Sequence, residues 1–284
     1  MIYLEYFEFP DKDKEHNFFM MNQRTCYNTY YPFQILSEHG LERLNFESIT
    51  ILYGGNGSGK TTALNVIAEK TKIERDSIYN KSNFFTDYIK LCEIHILTNI
   101  PTNSRIITSD DVFDYMLNIR NLNEGIDEKR EKIFIEYLDA KYSDFQLKSL
   151  DDYDHLVKIN KSRKKTQSRF VRSELMNNIR EFSNGESAYK YFTEKIGENG
   201  LYILDEPENS LSPKLQIELA GFIEDSVRFY GCQLIISTHS PFLLAMRGAK
   251  IYDLDKNPVD TKRWTELENV RIYHEFFKKY EKDF

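Results

Sequence analysis

Lys60 and Thr61 close the stretch Gly54-Gly55-Asn56-Gly57-Ser58-Gly59-Lys60-Thr61, which fits the spacing G-x-x-x-x-G-K-[ST] of a phosphate-binding loop. Four glycines let the backbone curl so that successive N–H groups point inward at phosphate oxygens. A helix that starts on the same spot adds the positive end of its dipole. In such a loop the ammonium of Lys60 reaches the β- and γ-phosphates and the hydroxyl of Thr61 becomes a ligand for Mg²⁺, with Thr62 next in line. Two more groups at strand ends suit the same chemistry. The apolar run Leu201–Leu204 ends in Asp205-Glu206, which offers one carboxylate for the cation and one to hold and deprotonate an attacking water. The run Gln233–Ser237 ends in Thr238-His239, and an imidazole there can donate a hydrogen bond to the γ-phosphate.

These groups work only if strands and helices bring them together. Ile49–Tyr53 reads as the strand before the loop, and the apolar spacing of Ala63, Leu64, Ile67 and Ala68 as the helix after it. Ile2–Phe9 reads as a strand, the charged stretch Pro10–Glu15 as a turn and Phe18–Met21 as the returning arm of a hairpin. The ring-rich segment from Tyr27 to Leu36 (Tyr27, Tyr30, Tyr31, Phe33) offers core aromatics or a ring to stack on adenine. Residues 72–181 lose the alternation of strand and helix and read as an inserted, mostly helical subdomain. Ser109 is its candidate helix cap, with one helix to about Leu122 and a second along the face of Ile126, Ile133, Tyr137 and Leu138. From 182 the alternation returns, with helices to about Ile196, over Pro213–Tyr230 and over Val270–Tyr280, and a strand at Lys250–Leu254. The expected fold is α/β, a mostly parallel sheet flanked by helices. Its parts are 1–71 (β-rich start and phosphate loop), 72–181 (helical insert) and 182–284 (the two carboxylates and the histidine).

A chain of 284 residues with 20 Phe and 19 Tyr can bury a full core, and no apolar run approaches the length of a membrane span. The first ten residues alternate like a strand and carry two glutamates, unlike a signal peptide. Cys26, Cys92 and Cys232 lie far apart, so a reduced, cytoplasmic chain is expected. The net charge of −7 gives no general attraction to nucleic acid. Against it stands one basic run with no acidic residue, Lys158, Lys161, Arg163, Lys164, Lys165, Arg169 and Arg172, which reads either as a solvated face or as a surface for phosphates.

Taken together, Gly54–Thr61, Phe182–Glu186, Leu201–Glu206, Asn209–Ser212 and His239 resemble the Walker A, signature, Walker B, D-loop and switch-histidine motifs of ABC-type ATPases, in the soluble branch that includes SMC, RecF and OLD-like proteins. The resemblance implies ATP with Mg²⁺ as cofactors, Thr61 and Asp205 as metal ligands, and Lys60, Glu206 and His239 as the catalytic group. It implies that Ser183 and Gly185 bind the γ-phosphate held by the opposite subunit, hence an ATP-linked head-to-tail homodimer. Asn184 replaces the usual first glycine of the signature, and residues 72–120 contain no Gln for a Q-loop, which leaves Asn83 as the candidate. The Glu-ended signature and the sequences Asp-Glu-Pro-Glu-Asn and Thr-His-Ser-Pro are more similar to small stand-alone ATPases of phage-defence or toxin-like operons than to transport subunits. The expected function is a Mg²⁺-dependent ATPase switch acting on nucleic acid or on a separate partner or effector polypeptide. The alternative is the nucleotide-binding subunit of an ABC transporter, which copurification with a permease would reveal.

Overall fold

A computed structural model describes residues 1–22, 26–143, 153–175, 177–178 and 183–283. In chain order the elements are β1 (Leu4–Glu8), α1 (Lys12–Met21), β2 (Arg43–Asn45), β3 (Ile49–Tyr53), α2 (Lys60–Thr71), β4 (Glu74–Arg75), α3 (Phe85–Leu91), β5 (Glu93–Ile96), β6 (Arg105–Thr108) and α4 (Ser109–Tyr142). After them come α5 (Tyr153–Lys164), α6 (Gln167–Glu174), α7 (Asn184–Lys195), β7 (Leu201–Asp205), α8 (Pro213–Phe229), β8 (Gln233–Ser237), α9 (Pro241–Leu244), β9 (Lys250–Asp253), β10 (Asp260–Lys262) and α10 (Glu268–Lys279). The chain divides into two compact units, 1–113 with 184–284, and 114–183.

In the first unit the described strands form a seven-stranded sheet in the order β10-β9-β3-β8-β7-β6-β4. Every neighbouring pair is parallel except β10 with β9. Every residue of β3, β7 and β8 is buried, which is why these strands read as unbroken apolar runs. Thr50, the polar residue inside β3, is satisfied locally by the amide of Glu47 at 2.9 Å. The strand order reverses around β3, whose partners β8 and β9 both come from the far end of the sequence, and such a switch point opens a crevice at the carboxyl ends of the strands. A second, antiparallel sheet runs β2-β1-β5. It is pinned to the first by Gln233 of β8, fully buried, whose Oε1 accepts from the amides of Tyr3 (2.8 Å) and Leu4 (2.9 Å) while its Nε2 donates to the Leu4 carbonyl (2.8 Å).

Three expectations change. Residues 12–21 are a helix, not the second arm of a hairpin: the Asp11 carboxylate caps it by accepting from the Lys14 amide at 2.7 Å, so the charged residues taken for a turn form its first turn. The helical insert does not begin at 72, because β4, β5 and β6 lie between 72 and 113 and two of them extend the main sheet. These strands are only two to four residues long, too short for a period-2 signal. The two helices expected between Ser109 and Leu138 are one helix of 34 residues. Its cap lies at Thr108, not Ser109: the Asp111 amide donates to Thr108 Oγ1 (3.4 Å), while the Asp111 carboxylate accepts from the Thr108 amide (2.6 Å) and hydroxyl (2.9 Å).

The second unit is helical, as its polar, 3.6-periodic sequence dictates. Tyr137 of α4 packs on Phe170 of α6 with ring centroids 5.4 Å apart, and Ile159 and Val171 are buried. The basic run lies on α5 and α6, with Lys165 in the turn between them. Lys161 pairs with Glu174 at 3.8 Å, Arg163 donates to the Ser143 carbonyl at 3.0 Å and Lys165 to the Ser173 hydroxyl at 2.9 Å. Lys161, Arg163, Lys164, Arg169 and Arg172 are exposed, whereas the side chain of Lys158 lies outside the described residues.

Candidate nucleotide site

The loop between β3 and α2 turns on glycines at positive φ, +84° at Gly57 and +90° at Gly59. At Gly59 a Cβ would also stand 2.8 Å from Leu36 Cδ2. Lys60 is 4% exposed and folds back over its own loop, donating to the carbonyls of Gly54 (2.6 Å) and Gly55 (3.1 Å). The Gly55 amide donates to the Asp255 carboxylate at 2.7 Å, which ties the start of the loop to the chain just after β9. Beside Lys60 opens a cleft of about 300 Å³ lined by Ile35, Asn56, Gly57, Gly59, Lys60, Thr61, Thr62 and Glu206. Ser58 is buried and its hydroxyl lacks a hydrogen-bond partner.

Asp205 ends β7 beside the first turn of α2. Its carboxylate accepts from the hydroxyls of Thr61 (3.2 Å) and Ser237 (2.5 Å). Burial pushes this carboxyl above the ordinary range, against the pull of those two bonds and of the Lys60 charge. A buried carboxylate next to a hydroxyl is a hard, oxygen-only donor pair that a small divalent cation would relieve. Among the described residues no cluster of three or more His, Cys, Asp or Glu stands at metal-binding spacing. A hydroxyl and one carboxylate are the kind of oxygen donors that suit Mg²⁺, which takes few protein ligands and fills its shell with phosphate oxygens and water.

Glu206 adopts the left-handed region, φ 48° and ψ 56°, sparsely populated for a residue with a side chain. Its amide donates to the Ser237 carbonyl (3.1 Å) and hydroxyl (3.0 Å), which turns the side chain toward the phosphate loop. Glu206 Oε1 stands 3.7 Å from Lys60 Nζ and 3.5 Å from His239 Nε2, and Oε2 accepts from Asn209 Nδ2 at 3.1 Å. An anionic oxygen thus already lies between the ammonium and the imidazole, the two groups that a terminal phosphate would engage.

His239 is held through its backbone. Its amide donates to Glu208 Oε1 at 2.6 Å, its carbonyl accepts from Asn269 Nδ2 at 2.9 Å, and its ring meets Tyr53 edge-on at 6.3 Å. Burial pushes the Glu208 carboxyl up, and the His239 amide is the strongest pull in the other direction.

The structure therefore gathers Gly54–Thr62, Asp205, Glu206 and His239 at one end of the sheet. It does not gather Gly185 with them: the atoms nearest a Cβ there belong to Leu215, Ser210 and Ser212. Ser183 and Asn184 are exposed, and Phe182 lies outside the described residues. The rings proposed for adenine are spent elsewhere. Phe33 stacks on Phe18 at 4.6 Å, Tyr27 and Tyr30 pack on Phe84, and Tyr31 lies against Phe85. The cleft is lined instead by Ile35. Asn83 donates to the Tyr27 hydroxyl at 3.4 Å, whereas the strand registered beside β7 is β6, with Thr108 opposite Asp205. The chain leaving that strand next to Asp205 is thus Ser109-Asp110-Asp111, not the segment of Asn83. Sequence reasoning named Asn209 only as the start of a D-loop resemblance and missed Ser237, Glu208 and Asn269. Asn209 and Glu208 adjoin Glu206, a proximity that could have flagged them; nothing in the local sequence marks Asn269.

The family described as "AAA domain, putative AbiEii toxin, Type IV TA system" matches residues 96–245. No curated protein matches the chain. Solved structures similar to it include an SMC head domain with an extended coiled coil bound to the C-terminal domain of ScpA, derived from Pyrococcus furiosus (12% identity, 97% of this chain and 100% of that one, TM-score 0.43). Another is "a putative metal-chelate type ABC transporter" in an inward-facing conformation (15% identity, 96% of this chain and 90% of that one, TM-score 0.42). A third is an ATP-binding cassette dimer in a post-hydrolysis state with ADP and Pi (13% identity, 77% of this chain and 88% of that one, TM-score 0.36). Among the described residues no helix is long and apolar enough to cross a membrane.

Proposed function

Since the chain belongs to the AAA domain family whose description includes an AbiEii-type toxin of type IV toxin–antitoxin systems, we propose that it is a Mg²⁺-dependent ATPase working as a nucleotide-driven switch in a toxin-like system. The observation that carries the reading is the position of the Glu206 carboxylate, within 3.7 Å of the loop lysine and 3.5 Å of the switch imidazole. Lys60 neutralises the β- and γ-phosphates, the inward-facing loop amides bind their oxygens, and Thr61 and Asp205 hold the cation. The cation supplies charge neutralisation at the phosphate being transferred. Glu206 orients the attacking water and takes its proton. His239 donates to the terminal phosphate and registers its loss. Glu206→Gln keeps ATP binding and lowers kcat by on the order of 10²–10⁴, the usual contribution of a positioned base. Hydrolysis within threefold of wild type in that variant would sink the assignment.

The active state is a head-to-tail dimer in which Ser183, Gly185 and the N-terminus of α7 bind the terminal phosphate held by the other copy. Supporting it, Ser183 and Asn184 are exposed at the start of α7, and a side chain at Gly185 would crowd Leu215 and Ser210, so the position favours glycine. The basic faces of α5 and α6 bind a polyanion, best read as nucleic acid of low sequence preference, or else pair with a separate partner polypeptide.

A further inference from the structure

Glu206 and His239 leave different strands, yet hydrolysis requires their side chains to keep one spacing around the terminal phosphate. The loops after β7 and β8 contain a set of hydrogen bonds, made by residues outside the lining of the cleft beside Lys60, that fixes this spacing. Glu208 Oε1 accepts from two successive amides, His239 at 2.6 Å and Ser240 at 3.2 Å. Ser240 closes the loop from the other side, its hydroxyl donating to Gln216 Oε1 at 2.7 Å. Gln216 Nε2 in turn donates to the carbonyl of Leu211 (2.8 Å) and reaches that of Glu208 (3.5 Å), back in the segment that carries Glu206. The result is a closed ring of polar contacts: segment 206–211, then Glu208 to 239–240, then Gln216 of α8 back to 208–211.

The ring is built at a cost that packing alone does not explain. Glu208 is half-buried, and its second oxygen, Oε2, is buried with no hydrogen-bond partner. A carboxylate held in that way is retained where its charge strengthens the amide bonds it accepts. The interaction is directional: backbone amides of the histidine segment donate and a side chain next to the base accepts, so the backbone that carries His239 cannot move away from the Glu206 segment without breaking these bonds.

We propose that Glu208, with Gln216, is a positioning residue that couples the switch histidine to the catalytic base and holds Glu206 and His239 in one unit. The proposal rests on the ATPase reading above. Its test is the intact chain carrying Glu208→Ala, Glu208→Gln or Gln216→Ala, assayed for ATP turnover, ADP affinity and the imidazole Cε1–H NMR signal of His239. Glu208→Ala lowers kcat by on the order of 10- to 10²-fold, the scale of one or two hydrogen bonds to a charged group, leaves ADP affinity within threefold of wild type and shifts the His239 signal. Glu208→Gln, whose amide oxygen still accepts from both N–H groups, recovers most of the turnover and returns the signal toward wild type. Glu208→Ala combined with Gln216→Ala loses less than the product of the two single losses, since both open the same ring. In a protein that hydrolyses ATP, turnover within twofold of wild type in Glu208→Ala, or a His239 signal that stays in place, overturns the proposal. If the wild-type chain does not hydrolyse ATP, the ATPase reading fails separately and the His239 signal alone decides: unmoved by Glu208→Ala, it overturns the brace; moved and restored by Gln, it supports it.

Discussion

The phosphate loop and the ends of β7 and β8 face the same cleft but are built in opposite ways. In the loop, geometry belongs to the backbone: glycines at positive φ set the curve, and its own amides and carbonyls take the bonds of Asp255 and Lys60. At the strand ends it belongs to side chains. Ser237, Asn209 and Glu208 each make bonds of 3.2 Å or less that aim Asp205, Glu206 and His239. The difference teaches where a defect shows. Damage to the loop appears in nucleotide affinity, whereas damage to the strand ends leaves affinity intact and appears in turnover or in cation dependence.

Three changes would break or sharpen that contrast. The largest effect falls on the loop: Lys60→Ala removes a charged donor from the β- and γ-phosphates and weakens triphosphate binding by about 10- to 10²-fold, read by calorimetric titration. Affinity within twofold of wild type would end the distinction between the two regions. Next is Asp205→Asn. Because burial raises the pKa of Asp205, the sign is that of a carboxylate whose ionised form opposes folding: its favourable share is complete below its unfolded pKa and is lost as pH rises through the higher folded value. At neutral pH the amide therefore relieves the fold, raising the apo melting temperature by about 2–4 °C, while the stabilisation given by Mg²⁺ with nucleotide disappears. An apo melting temperature that falls would contradict the burial argument. The smallest change concerns neither region. Replacing Lys161, Arg163, Lys164 and Lys165 together by Ala should leave ATPase activity unchanged and flatten a log K against log salt slope of roughly −3.5 to −4.5 for polyanion binding. A slope that the quadruple variant preserves would leave those charges as an ordinary solvated face.

The same contrast decides what could be read from sequence. The loop was legible because a backbone device needs glycines at fixed spacing, and Gly54 to Thr61 cannot be spelled many other ways. The central strands were legible because burial on both faces demands unbroken apolar runs. Asp205, Glu206 and His239 were legible as strand-end residues in the right order. Their supports were not, since Ser237 looks like any strand residue and Asn269 stands far down the chain. Helix α1 was misread because the first turn of a capped helix and a charged turn share the same residues, and only the Asp11 to Lys14 bond distinguishes them. The early start of the insert was misread because β4 has two residues and no period to detect. Ile35 was overlooked because its neighbours Tyr30, Tyr31 and Phe33 advertise themselves as ligands for a base while packing on Phe84, Phe85 and Phe18.

The Gln233 clasp on Tyr3 and Leu4 joins residues 230 and 229 positions apart, and β3 waits equally for β8 and β9. On the ribosome, β3 and the apolar face of α2 emerge long before β8 and β9 exist. Pairings of such high sequence separation pay their loop-closure entropy before any contact returns it. The helices of 114–183 draw on nearby partners and are free to form while synthesis is still under way. The nucleotide site is therefore among the last features of the nascent chain to take shape, and a truncated product that ends before residue 233 carries an intact phosphate-loop sequence with no sheet to hold it.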